Sequence, residues 1–253
     1  MNTLITSVKY VTLCMLFMAF AFAPGLIDAA DDIASYEPPT WKGNVTLGGN
    51  YQTGNTDRIN AAIGADALRK SDKERYTLNF LFSYSEEDGK NTAESYYGSG
   101  KYDYFFTKRV YGYVALELLK DDFKDLTLRT ILGPGAGYQI WDEEKRSLSA
   151  EAGISYFSDN YIVAEDDDWI TGRLAGALMY KLMTSLTFTD QLILYPSFED
   201  FGEFNLRNEA ALATPLASGW ALKLINILEY DSDPPADIED TDWNWILTLQ
   251  YSF

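Results

Sequence analysis

The side chains that carry most enzymatic proton transfer are missing from this chain. Its 253 residues include no histidine and a single cysteine. A Ser-His-Asp relay and a histidine general base are therefore excluded. The cysteine, Cys14, sits inside the apolar run "YVTLCMLFMAFAFA", so the rest of the chain has no thiol nucleophile. Carboxylate chemistry or a Ser-Lys pair is what remains. With 38 acidic residues, a pair of carboxylates close in sequence is expected by chance and carries no signal. No glycine-rich phosphate loop follows a strand pattern and opens a helix pattern. The reading is of a protein that is not an enzyme, with no catalytic or metal-ligating residue and no cofactor.

Two acidic clusters offer oxygen ligands. One holds Glu165, Asp166, Asp167 and Asp168; the other holds Asp237, Glu239, Asp240 and Asp242. Such loops could bind Ca²⁺ or Mg²⁺ and bridge to lipopolysaccharide phosphates. Their spacing matches no calcium-loop motif, and solvated acidic loops are the simpler expectation. The net charge of −18 would repel nucleic acid, which is not expected as a partner.

The remaining charged residues belong to a pattern of period two. "VTLGGNY", "YTLNFLFSY", "LSAEAGISY" and "WALKLINILEY" each place large apolar residues on alternate positions. This is the signature of half-buried strands. About twelve such segments lie between residues 41 and 253. Aromatics gather near their ends, as in Tyr76 with Tyr84 and Trp220 with Tyr230, as in the girdles of a membrane barrel. The fold predicted is all-β, an antiparallel transmembrane β-barrel of about twelve strands. A soluble β-sandwich is the alternative. It would have to hide about twelve patterned faces and end on an exposed edge.

In a barrel, the phase opposite the apolar residues faces the lumen. That phase carries Arg58, Asp66, Lys101, Asp103, Arg129, Glu151, Arg173, Arg207, Glu209, Lys223 and Glu229. The signs are mixed, so an open pore would be weakly selective, with a cation preference from the acidic loops. The same charges could instead pair and fill a narrow lumen. Three polar residues, Asp190, Asn208 and Asn226, fall on the lipid-facing phase. If both intervening hairpins are regular, they lie side by side and mark a protein contact or a lipid-headgroup site.

The first 30 residues read as a secretory signal peptide: Lys9, the apolar run, then small residues, with cleavage near Ala29 or Ala30. Residues 31–40 read as a flexible lead-in and residues 41–253 as the barrel. Short connections such as "FTKR" and "LASG" alternate with longer acidic ones such as "EEDGKNTAE" and "DSDPPADIEDTD", as on the two rims of an outer-membrane barrel. The chain ends on its most regular strand, with Trp245, Leu247, Leu249, Tyr251 and Phe253 in one phase. This strand is expected to close the barrel against the first. Its terminal aromatic is the kind of signal that the bacterial barrel-assembly machinery reads. "GPG", Gly133 to Gly135, suggests a bulge or sharp bend, because proline cannot feed a ladder.

Two motifs resemble a known family. They are "WKGNVTLGGNYQTGNTDRINAAIGADA", with Trp41, Gly43, Gly48 and the turn Thr53 to Asp57, and "LRTILGPGAGYQIWD", with Gly133, Gly135, Gly137 and Tyr138. The chain is similar to the Gram-negative outer-membrane proteins labelled salt-induced, the DUF481 family. The resemblance implies an outer-membrane barrel, exported and in contact with lipid and lipopolysaccharide. It implies no activity and no site residues. It leaves open a small passive channel, an envelope-maintenance protein linked to salt stress, or a non-conducting structural barrel.

Overall fold

The computed structural model describes residues 40–52, 58–198, 202–234 and 239–253. The leader and the turn Thr53 to Asp57 lie outside the described residues. Twelve strands follow in order: β1 (Trp41–Gln52), β2 (Arg58–Lys70), β3 (Glu74–Glu87), β4 (Lys90–Phe105), β5 (Val110–Asp121), β6 (Leu126–Glu143), β7 (Arg146–Tyr161), β8 (Asp167–Met183), β9 (Leu186–Pro196), β10 (Phe204–Ala217), β11 (Trp220–Asp231) and β12 (Thr241–Ser252). A 3₁₀ turn, Asp122–Lys124, joins β5 to β6. Each strand pairs with its sequence neighbours, and β12 returns to β1, so the sheet is a closed barrel. Closure removes the exposed edge that the sandwich alternative required.

The burial pattern is inverted relative to a water-soluble protein. Leu47, Ile154, Leu174 and Leu247 are exposed, while Thr46, Gln139, Ser155, Thr171 and Thr248 are buried. Alternation therefore points apolar side chains out of the barrel and polar ones in. One rim carries the ends of β1 and β12 and the short connections at 71–73, 106–109, 144–145, 184–185 and 218–219; this is the terminal rim. The opposite, loop rim carries the 3₁₀ turn and the connections at 162–166 and 232–240.

Three local expectations are corrected. "EEDGKNTAE" is not a long loop. Asp88 and Gly89 take φ of 50° and 73°, a two-residue primed turn, and both flanking strands run on through the acidic residues. The "GPG" stretch forms no bulge. β6 pairs Val114 with Pro134 and Tyr113 with Gly135 without interruption. On the β7 side, Leu132↔Tyr156 and Gly135↔Gly153 keep one register. The glycines serve a different need: a Cβ at Gly135 would lie 2.3 Å from the Tyr113 ring, and one at Gly137 would lie 2.2 Å from the Tyr111 ring. Two inward tyrosines thus lie flat against bare backbone.

The third correction concerns the polar row. Asp190 and Asn226 both pair with Ala210, and Asn208 pairs with Leu192 and Leu228. The β10–β11 hairpin turns at Ser218–Gly219, with φ of 50° and 85°, and its register slips between Pro215 and Ala217. The β9–β10 pairing is likewise centred one residue beyond the assumed midpoint, so each partner moves by two. Asn208 reaches diagonally and donates to Asp190 Oδ1 at 2.9 Å.

The closing seam has the shortest register in the barrel among the described residues. β12 pairs along its length with β11, from Trp220↔Tyr251 to Tyr230↔Thr241. β1 pairs along its length with β2, from Trp41↔Arg69 to Gln52↔Arg58. Between β1 and β12 the register runs only from Asn44↔Ser252 to Gly48↔Thr248. Below it, the Gly43 and Phe253 backbones exchange hydrogen bonds of 3.1 and 3.0 Å. The Phe253 ring covers Gly43, where a Cβ would sit 2.8 Å from Cζ. Above Gly48, the described residues of the two strands do not pair.

Candidate functional site: the lumen

The lumen is crossed by two networks of ion pairs. Toward the terminal rim, Arg75 Nε donates to Asp103 Oδ2 at 2.5 Å, and Lys101 lies 3.2 Å from the same carboxylate. Lys101 also pairs with Glu151, reaching from β4 to β7 over the intervening strands. Arg173 Nη1 donates to Glu151 Oε2 at 2.8 Å and to the Tyr113 hydroxyl at 3.1 Å. The Tyr111 hydroxyl donates to Glu151 at 2.8 Å. The three cations also lie on aromatic faces: Arg75 on Tyr111, Lys101 and Arg173 on Tyr113. Three cations meet two carboxylates here. Asp103 is fully buried, so losing its partners would leave a desolvated charge.

Nearer the loop rim the balance reverses. Arg129 grips Asp159 with Nε and Nη2, at 2.8 and 2.5 Å, and lies 3.4 Å from Asp231. Arg207 and Lys124 both pair with Glu229. Lys124 also lies 2.9 Å from Asp242, and Arg207 lies 3.7 Å from Glu209. Tyr195 and Tyr97 donate to Glu117 at 2.5 and 3.2 Å, and Arg207 stacks on Tyr97, 4.2 Å from its centroid. These contacts join opposite walls: Lys124 beside β5 to β11 and β12, β5 to β9, and β4 to β10. Burial works against the Lys124 ammonium, but Glu229 and Asp242 outweigh it and hold its pKa above the usual lysine value.

The inward residues read from the sequence thus divide by location. Lys101, Asp103, Glu151 and Arg173 meet in the terminal network; Arg129, Arg207, Glu209 and Glu229 meet in the loop network. Asp66 is apart from both. It accepts from Asn44 Nδ2 at 2.6 Å on the seam side. Lys223 shares the phase of Ile225, Ile227 and Glu229 on β11. Arg58 opens β2, but its side chain lies outside those described.

Sequence reading missed Arg75, Glu117, Asp159, Lys124, Asp231 and the inward tyrosines Tyr97, Tyr111, Tyr113 and Tyr195. Arg75 was within reach, since it shares the phase of Thr77 and Asn79. The tyrosines were not. An aromatic in a barrel strand reads first as a girdle residue, and the bare backbone that admits Tyr111 and Tyr113 lies on another strand.

Two cavities among the described residues adjoin these cations and acids. One, of about 80 Å³, lies among Arg129, Phe157, Tyr195 and Asp231. The other, of about 590 Å³, lies against β2, β3, β4 and the seam. Both touch Tyr97, Lys124, Arg207, Glu229 and Asp242, so the loop network stands between them. Among the described residues no group of three or more His, Cys, Asp or Glu could hold a metal ion. Several loop acids hold backbone instead: Asp125 accepts from Val163 and Ala164 N–H at 3.1 and 3.0 Å, and Asp166 from Tyr161 N–H at 2.9 Å.

On the outer wall, Asn226 is 9% exposed, and its Nδ2 has no hydrogen-bond partner among the described residues. Its register partner on β12 is Trp245. Trp245, Leu247, Leu249, Tyr251 and Phe253 all lie exposed on the same outward phase.

One family model matches the chain, over residues 45–253; its description is "Protein of unknown function, DUF481". No curated protein matches. Among solved structures, the NanC porin is similar at 9% identity and a TM-score of 0.48, covering 83% of this chain and 98% of its own. The translocator domain of the autotransporter NalP from Neisseria meningitidis has 9% identity and a TM-score of 0.46, covering 87% and 90%. An outer-membrane channel from Pseudomonas putida F1 has 12% identity and a TM-score of 0.47, covering 89% and 99%. At such identities the likeness is one of fold alone.

Proposed function

The chain belongs to the DUF481 family, and we propose that it is an outer-membrane β-barrel acting as a narrow passive channel for small solutes, weakly cation-preferring at its loop mouth. The exposed apolar wall supports the membrane placement, because strand pairing satisfies the backbone groups around the barrel, the upper part of the β1–β12 seam excepted. On this reading the terminal rim faces the periplasm. The final aromatic strand is then the signal for barrel assembly, and the wall contacts lipid and lipopolysaccharide.

One observation carries the channel reading. The cavity of about 590 Å³ is lined by Asn60, Ser83, Ser85 and Ser95 and is bounded toward the rest of the lumen by side chains only, Lys124, Arg207 and Glu229. Side chains can move without breaking the ladder. The carboxylates of the loop network, Glu117, Asp159, Glu209, Glu229, Asp231 and Asp242, outnumber its three cations, which favours cations at this mouth. Salt stress enters only through the family resemblance.

A specific observation favours a second reading. The pairs that join opposite walls cross the loop half of the lumen, as in a non-conducting structural barrel. Planar-bilayer conductance of the refolded mature chain separates the two. Small discrete steps with a cation-selective reversal potential are expected. Silence from protein shown to be folded by heat-modifiable gel mobility rules out the channel in favour of the structural barrel.

A further inference from the structure

The seam between β1 and β12 is a place where the barrel wall is incomplete. Pairing stops at Gly48↔Thr248, yet β1 continues to Gln52 and β12 begins at Thr241. Each strand is held along its length by its other neighbour, so the two edges of the gap are braced. Facing hydrocarbon, unpaired strand backbone costs several kcal/mol per group, and such edges persist only against protein, water or another polar partner. The seam therefore cannot stand bare against acyl chains.

The large cavity meets the gap. Its lining takes both faces of the seam strands: Asn244 and Ile246 from the inward phase, Gly49, Trp243, Trp245 and Leu247 from the outward phase. On the side of β2, β3 and β4 the lining is uncharged and polar, with Asn60, Ser83, Ser85 and Ser95, above an apolar base of Ala62, Leu81 and Ile246; the charged Asp121, Lys124, Arg207, Glu229 and Asp242 line the rest of it. Outside, Trp243 and Trp245 are 60% and 65% exposed beside the opening. Amphipathic aromatics of this kind flank the boundary between lipid and polar groups. Hydroxyls and amides inside, an open backbone edge, and large apolar side chains outside form one continuous path. About 590 Å³ lies within the roughly 300–1,000 Å³ of small-molecule sites.

We propose that this seam is a lateral binding site for an amphiphile with an uncharged, hydroxyl-rich head and an aliphatic chain. The head lies in the lumen against Asn60, Ser83, Ser95 and Asn244 and satisfies the open strand edges. The chain passes out between β1 and β12 and lies along Trp245 and Leu247 in the membrane. The inference rests on the membrane placement argued above, but not on conduction, since a barrel silent in planar bilayers can still bind through its wall.

The test is photolabelling of the refolded mature barrel in phospholipid vesicles with a long-chain alkyl glucoside carrying a diazirine on the sugar. The expected result is labelling of inward residues around Asn60, Ser83 and Asn244, lost when Ser83→Trp fills the cavity. Ser95→Trp serves as a second filling variant if the first fails to show heat-modifiable mobility. A short-chain methyl glucoside with the same diazirine should label these positions far less. Equal labelling by the methyl glucoside would mean entry through the aqueous mouth and would overturn the lateral site. Head labelling confined to the rims, with a chain-borne diazirine labelling Trp245 and Leu247, would leave the membrane barrel standing and sink the site. A chain-borne probe that labels no outward residue would remove the membrane placement itself.

Discussion

The two sides of the lumen solve the same problem in opposite ways. Along β5 to β8 the wall is filled: Tyr111 and Tyr113 lie on the bare backbone of Gly137 and Gly135, and Glu151 ties Lys101, Arg173 and Tyr111 together. On β10, β11, β12 and β2 a band of small and aliphatic residues stands between the inward charges: Ala62, Ala211, Ile225, Ile227 and Ile246 form one buried cluster with Leu81 packed against it. A wall filled by aromatic rings and ion pairs leaves little space. A wall lined by small residues leaves space, and the space lies where strand pairing is incomplete.

The largest effect is expected at the hub of the filled wall. Glu151→Ala leaves Lys101 and Arg173 buried without their shared carboxylate, which should cost about 3–5 kcal/mol. A lowered urea midpoint for loss of the heat-modifiable band checks it. An unchanged midpoint would mean that the filled wall is no more rigid than the seam.

Next comes Gly135→Val, which forces side-chain atoms into the Tyr113 ring and to within 2.6 Å of the Ala152 carbonyl. Overpacking of this kind should destabilise by about 1–3 kcal/mol or more, and adding Tyr113→Ala should recover part of the loss. No recovery would detach the glycine from the tyrosine. On the seam side, Ser83→Ala changes a residue that lines open space. Its effect should stay within about 0.5 kcal/mol.

Lys124→Ala tests the partition between the sides. It removes the contact that carries Glu229 and Asp242 across the loop mouth. Single-channel conductance should rise and cation preference should strengthen, because one positive charge leaves a mouth already rich in carboxylates. Unchanged steps would place the constriction in the terminal network.

The smallest effect is expected outside. Asn226→Leu replaces a buried amide that has no partner for Nδ2 among the described residues, and a gain of about 1 kcal/mol is predicted. Combined with Asp190→Leu and Asn208→Leu, it asks whether the polar row serves a protein contact. Loss of an oligomer on cross-linking would support a contact; an unaltered cross-linking pattern would reduce the row to an internal hydrogen bond between Asn208 and Asp190.

The barrel itself was legible from the chain because a period of two is a local property. Each strand must alternate in order to separate an apolar exterior from a polar lumen, so Val45, Leu47 and Leu249 announce their side without reference to a partner. The same logic reads the phase of Lys101, Asp103, Glu151 and Arg207. Asp88-Gly89 was a strong hairpin signal hidden by the acidic residues around it, and the register of the Asp190 row was lost to a slip near Pro215 on the β11 side and to a turn centred one residue further on the β9 side.

Tertiary structure alone decided which charges meet and where the wall opens. Lys101 and Glu151 stand 50 residues apart, Lys124 and Glu229 105 apart. Their meeting depends on strand stagger around the whole closed sheet, and no short window contains that quantity. The incomplete seam is also a sum over the molecule: β1 and β12 are each regular by pattern and fully paired with one neighbour, yet they meet only as far as the closure of the barrel brings them together.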